Sequence, residues 1–266
     1  MVAVVSDGGA VADGAAAQSI VRRYATLIDH LAGLPVRVLS PDAGGAQHVE
    51  AELRDLPPDV GAIFLPHARP EFACQVRALT GGRPVLTDQD TTAIALTAAL
   101  LTTLSRASRV PRASKVVIAG ADTLPILGPL LMVCGVGDIT TWNPADALAF
   151  PLRRVAAGAH VVVDLLDGTA DLESLAAHAT PTVLAPESGR DPLLALPGLL
   201  RALTHIPGAR LDVEVHHACA LALVMATPPD ERLPAGPDPA LADQVADAAT
   251  RALRQPTHRP FDTSFG

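Results

Sequence analysis

Short β-branched runs alternate with longer alanine- and leucine-rich stretches along most of the chain. The runs at residues 2–5, 36–39, 62–65, 85–86, 115–119, 138–142, 160–165 and 182–184 are apolar at most successive positions, the pattern of strands buried on both faces. Between them, residues 15–31, 72–79, 91–106 and 124–133 have the length and composition of helices. This alternation predicts an α/β fold with parallel sheet covered on both sides. The strand signal stops after Pro192, and residues 211–226 and 239–254 read as a closing helical tail. The proline-rich stretch 227–239 between them reads as a surface loop. The pattern predicts two α/β units, residues 1–90 and 91–266, the second a Rossmann-like doubly wound parallel sheet carrying the C-terminal helical tail. No internal repeat stands out in the residues themselves.

Composition then removes several function classes. A net charge of -8 and an aromatic content of 3% argue against a nucleic-acid binder, which needs a basic face and stacking rings. Lys115 is the only lysine, Tyr24 the only tyrosine and Trp142 the only tryptophan, so lysine or phenol chemistry has one candidate each. Cys74, Cys134 and Cys219 form no CxxC pair, which predicts neither a disulfide framework nor a structural zinc site. Cys74 and Cys134 read as small core residues. The first residues lack the basic start of a signal peptide, and the longest apolar stretch, 92–104, is too short to span a bilayer. A cytoplasmic protein without membrane partners is the expectation.

The turn after the strand at 115–119 is where an α/β protein would hold a dinucleotide. KVVIAGADTLP keeps one glycine of the three such a site uses, Gly120. The second position holds Asp122, whose charge opposes a phosphate at a helix start, and the third holds Pro125. A nucleotide would meet Gly120, Ala121 and Asp122 here, with Asn143 where an acidic residue usually holds the ribose. An ordinary α/β turn accounts for the same residues.

Four segments, in order, resemble the malic enzymes. VAVVSDGGAV at the start is similar to their VAVVSDGTAV segment, and RPVLTDQDTTAIALTAALLTTL to their DDQHGTA motif and following helix. KVVIAGADTLPILGPLLMVCGVGDITTWN resembles their nicotinamide-binding unit, and DPLLALPGLLRAL their NNVLAFPG motif. The resemblance implies oxidative decarboxylation of malate with NAD or NADP and magnesium or manganese. It implies a tyrosine acid, a lysine base, a Glu-Asp metal pair with a further Asp, and substrate-binding asparagines. Carried onto this chain, the tyrosine acid falls upstream of the opening segment, so a homologue short at its N-terminus is expected. The base falls on Tyr24 and the metal pair on Phe64 and Leu65; the further metal ligand is retained as Asp88. The asparagine pair has become Asp191 and Pro192, and LAPE lacks the asparagine of their ANP motif. One aspartate is a poor site for a cation that takes about six oxygens, and a phenol with a pKa of about 10 is a poor neutral-pH base.

Asp88 and Asp90 stand two residues apart at a strand end, where they share a face if the strand extends that far. With His67 and Glu71 from the preceding connection they offer a replacement metal or acid–base site. The alternative is that Asp90 caps a helix beginning at Thr91, and that His67 is a solvated loop residue. His216, His217 and Cys219 look metal-like, but adjacent helical residues point about 100° apart, and packing of the tail explains them as well. Asp7-Gly8-Gly9 is a tight turn at the same sheet edge, and Tyr24 is either a packed residue or a phenol acid. The expected function is a malic-enzyme-like scaffold with a degenerate site, binding a small anionic metabolite or a protein partner, a second copy included. The alternatives are an enzyme of altered chemistry, decarboxylating or enolising a 2-oxo or dicarboxylic acid, and a residual NAD(P)-dependent oxidoreductase.

Overall fold

Among the described residues, parallel strands form two sheets of four. β1 (Val2–Val5), β2 (Val36–Leu39), β3 (Ala62–Leu65) and β4 (Val85–Thr87) lie in the order β2-β1-β3-β4. β5 (Lys115–Ala119), β6 (Asp138–Trp142), β7 (Val161–Asp164) and β8 (Thr182–Leu184) lie in the order β6-β5-β7-β8. The structure is a computed structural model that describes residues 1–6, 14–39, 45–168, 170–176, 181–187 and 190–255. The turn at Asp7-Gly8-Gly9 lies outside them. The two sheets share one strand order, a repetition of topology that the side chains do not display.

Ten helices complete the described chain: α1 (Gly14–Ala32), α2 (Gly45–Arg54), α3 (Pro70–Leu79), α4 (Asp88–Arg106), α5 (Leu127–Val133), α6 (Leu152–Val155), α7 (Ala170–Ala176), α8 (Asp191–His205), α9 (Val213–Ala226) and α10 (Pro239–Arg254). All the strands of the first sheet precede α4 and all those of the second follow it. Alternate strand residues serve opposite layers. Val2, Val4 and Phe64 pack with α1, α4 and α8, whereas Ala3, Val5, Ile63 and Leu65 pack with α2 and α3. Every residue of β1 and β3 is therefore buried, which is why these strands read as unbroken apolar runs. The largest apolar cluster also takes in Val116, Ile118, Val161 and Val163 of the second sheet, so α4 and α8 serve both sheets in one core.

Several boundaries differ from expectation for local reasons. α4 begins at Asp88 and not at Thr91, because Thr87 and Asp90 cap each other's backbone N–H groups in a capping box. α5 begins at Leu127 and not at 124; Leu124, held before Pro125, is outside the helical region at φ -140° and ψ 68°. α8 was hidden by Pro192 and Pro197, but the first sits in the opening turn, where a missing N–H costs nothing. Cys74 is exposed because α3 turns Ala73 and Val76, not position 74, toward the sheet, and Cys134, which caps the end of α5, is only partly buried. Among the described residues no helix is long and apolar enough to cross a membrane.

Gly198 of α8 meets α10 so closely that an added Cβ would lie 2.4 Å from the Ala242 carbonyl oxygen and 2.9 Å from the Ala246 nitrogen. Alanine is the better helix former by about 1 kcal/mol. We nevertheless expect Gly198→Ala to lower stability by about 1–3 kcal/mol through overpacking against backbone. A fall in the urea midpoint at unchanged m-value checks this.

Candidate functional site

Three of the anticipated side chains meet beyond the carboxyl ends of β3 and β4. His67 follows β3 with a left-handed backbone, φ 50°, a conformation that costs a non-glycine residue about 1 kcal/mol or more and persists only where neighbours impose it. Its Nδ1 lies 3.0 Å from Asp88 Oδ2, the first residue of α4. Tyr24 of α1 sets its ring edge-on to both Phe64 and His67, at centroid distances of 5.1 and 6.2 Å. The His67 side chain is 39% exposed and that of Asp88 16%, so the imidazole stays open to solvent. Glu71 is exposed on α3 and is not joined to this pair by a described hydrogen bond or ion pair.

The electrostatics follow from this packing. The hydrogen bond that His67 donates to Asp88 raises the His67 pKa above its ordinary 6.5, and the burial that opposes it is the lesser effect. The Tyr24 phenol is pushed up to about 12, first by burial and then by the charge of Asp88. A phenol held neutral in this way is no base at physiological pH.

Asp88 and Asp90 do not act together, contrary to the shared-face expectation. β4 ends at Thr87, so both fall on the first turn of a helix and point about 200° apart. Nor does Asp90 cap a helix starting at Thr91; it is the third helical residue, behind the cap at Thr87. Asp90 turns inward and is buried. One carboxylate oxygen accepts from the Thr87 backbone N–H (2.8 Å) and hydroxyl (2.7 Å), and the other faces His216 Nε2 at 3.1 Å. His216 Nδ1 faces the Asp212 carbonyl at 2.5 Å. Both ring nitrogens thus face acceptors. Burial alone would raise the Asp90 pKa, but the His216 bond and charge, with the Thr87 bonds, hold it below the ordinary carboxylate range. No sequence signal pointed to this pair, whose members are 126 residues apart.

The family's metal does not fit the described side chains. Phe64 and Leu65, at the positions of its metal pair, are fully buried and apolar. Asp88 is held by His67, and among the described residues no three His, Cys, Asp or Glu side chains converge. His216, His217 and Cys219 diverge as helix geometry requires. His216 reaches Asp90, His217 faces a surface groove, and Cys219 is buried, its thiol pushed up to about 12 by that burial.

A dinucleotide fits no better. Gly120 has the left-handed φ of 84° that its turn demands, but Leu166 packs against its open side, 2.7 Å from where a Cβ would stand. A short 3₁₀ turn at Ala121–Thr123 precedes α5, so the helix start is displaced from the glycine. The N–H of Asp122 donates to Asn143 Oδ1 at 3.3 Å, and the Asn143 N–H donates to Asp146. Asp164, where β7 ends beside them, is buried and accepts from Leu166 and Gly168. Of the four positions anticipated for a cofactor, Asp122 and Asn143 thus bond to each other and Gly120 is covered by Leu166. Lys115 is remote from any of this chemistry, its Nζ donating to the Ala157 carbonyl at 3.0 Å.

Asp191 does not join Asp88. It lines a separate cavity of about 270 Å³ with Arg106, Glu187, Arg190 and Arg232. It accepts from the Glu187 N–H and pairs with Arg190, and burial raises its pKa despite them. Arg106 and Arg232 have no ion pair among the described residues.

No family model and no curated protein matches the sequence. Solved structures match the whole architecture. One is the NAD-dependent malic enzyme of Thermotoga maritima, at TM-score 0.74 and 19% identity over 94% of this chain and 83% of that one. Another is a putative malic enzyme (malate oxidoreductase), at 0.76 and 18% over 94% and 84%. A third is the malic enzyme of Pyrococcus horikoshii, at 0.75 and 17% over 95% and 76%. The chain has the malic-enzyme fold.

Removing one member of a buried hydrogen-bonded pair leaves the other without its partner. Asp90→Ala, which also removes half of the capping box of α4, is expected to cost about 2–4 kcal/mol in urea unfolding. The depressed Asp90 pKa stabilises the native state above the ordinary carboxylate range, and that stability is lost as pH falls through the folded value. In Asp90→Ala the acid limb of the stability–pH curve should flatten accordingly. His67 has the opposite sign: its raised pKa stabilises fully below 6.5, and the gain disappears as pH rises through the folded value. An imidazole NMR titration should place His67 above 6.5, and Asp88→Asn should bring it down.

Proposed function

We propose that this chain is a non-catalytic binding protein built on the malic-enzyme fold, and not a malate oxidoreductase. One observation carries the reading: the groups that would handle metal, cofactor and base are apolar, or are consumed by the protein's own contacts. Phe64 and Leu65 are core, Asp90 is bound by Thr87 and His216, Leu166 covers Gly120, and Tyr24 is a buried, neutral phenol. The groups that support binding of a small anion are Arg106 and Arg232, which line this cavity without ion pairs among the described residues, set against the carboxylates of Glu187, Asp191, Asp230 and Glu231 that line it too. An anion in such a cavity is held by charge-assisted hydrogen bonds, and arginine's fixed fork suits a carboxylate.

A second reading is favoured by the His67–Asp88 pair. The carboxylate holds Nδ1 and leaves Nε2 open, the arrangement of an oriented general base. Such a base would remove a proton from the carbon beside the oxo group of a 2-oxo acid.

Calorimetry and enzyme assay on the purified chain separate the readings. We expect no NAD(P)-linked turnover of malate with manganese and no micromolar binding of NAD, NADP or manganese. Malate or oxaloacetate should raise the melting temperature of the native chain, and Arg106→Ala should abolish that rise. Micromolar NAD binding would overturn the first reading. Deuterium exchange into the methyl group of pyruvate that His67→Gln abolishes would establish the second in its place.

A further inference from the structure

The cavity of about 270 Å³ beside Asp191 is lined by charges of both signs, and several of each are unspent. Its walls come from separate parts of the chain. The last turn of α4 gives Arg106, and the loop between α9 and α10 gives Asp230, Glu231 and Arg232. That loop is held at its middle by the buried Leu233, and Pro228, Pro229, Pro234 and Pro237 restrict its backbone. Arg190 is already engaged, with Glu187 at 3.0 Å and with Asp191 at 3.4 Å. Arg106, Arg232, Asp230 and Glu231 are exposed, line the same space, and have no ion pair among the described residues.

Two bases and two acids that share a cavity without neutralising one another call for a ligand with both charges. A plain dicarboxylate answers the arginines but sets its own charge against Asp230 and Glu231, and like charges brought together work against binding. A metal ion answers only the acids, and no three metal-ligating side chains converge among the described residues. A carboxylate and an ammonium on one small molecule answer both. The carboxylate accepts from the arginine forks, and the ammonium donates its three hydrogens to carboxylate oxygens, each bond strengthened by charge. We propose that this cavity is a site for a 2-amino acid, its carboxylate taken by Arg106 and Arg232 and its ammonium by Asp230 and Glu231. The proposal rests on the anion reading of the same cavity and adds the ammonium as the group that selects among small anions.

Titration calorimetry of the full chain with L-aspartate, malate and succinate tests this, because the three share one carbon skeleton. They differ only in carrying an ammonium, a hydroxyl or a hydrogen at the second carbon. L-aspartate is expected to bind about tenfold or more tighter than malate, the value of a charge-assisted hydrogen bond. Asp230→Asn combined with Glu231→Gln should remove that preference and leave the affinity for malate unchanged or raised. Arg106→Ala should weaken both ligands. These positions are exposed, and unchanged far-UV circular dichroism and melting temperature of the unliganded variants confirm that each folds. Malate bound as tightly as L-aspartate overturns the proposal and leaves the anion reading standing, and so does a preference that survives the double amide variant. Failure of all three ligands to bind overturns both.

Discussion

The buried Asp90–His216 pair joins the part of the chain that resembles a catalytic apparatus to the part that only completes the fold. Asp90 is reached from one side by Thr87, where β4 turns into α4, and from the other by His216 on α9. The pair therefore fixes how the end of the first sheet, the central helix and the tail meet. A carboxylate in that position must be fully bonded, because an unpaired buried charge costs several kcal/mol. Once bonded, it is withdrawn from solvent and from any ligand. The same interaction that orders the helices thus closes one side of the site.

What remains beside it is modest and clearly oriented. His67, in a left-handed conformation it would not adopt unaided, leans on Asp88 and against Tyr24. In the second unit the dinucleotide turn keeps its left-handed glycine but turns it to an internal purpose, with Leu166 lying where the glycine's open side would admit a ligand. The layers need only apolar faces and correct caps; a metal site needs particular side chains converging, and among the described residues no three His, Cys, Asp or Glu side chains do so.

Much of the architecture was legible because buried parallel strands are apolar at every position. Val2–Val5, Ala62–Leu65 and Lys115–Ala119 were recognisable from residue type alone, and so was the proline-rich loop before α10. The helix containing Pro192 and Pro197 was less so, because local propensity counts against it and burial between the two sheets decides for it. Asp88 and Asp90 were both singled out, but their different fates turn on where β4 stops. One residue of strand more or less changes which face each occupies.

The sequence by itself determined the α/β layering, the acidic and lysine-poor surface, and the apolar residues at the expected metal positions. These depend on residue type and spacing, which local physical chemistry reads directly. Only the tertiary structure decided that Asp90 is bonded to His216, that Leu166 lies over Gly120, and that Arg106 shares a cavity with Asp230, Glu231 and Arg232. Each of those joins residues far apart in the chain. A buried charge or an open glycine takes its meaning from whichever side chain the fold brings against it.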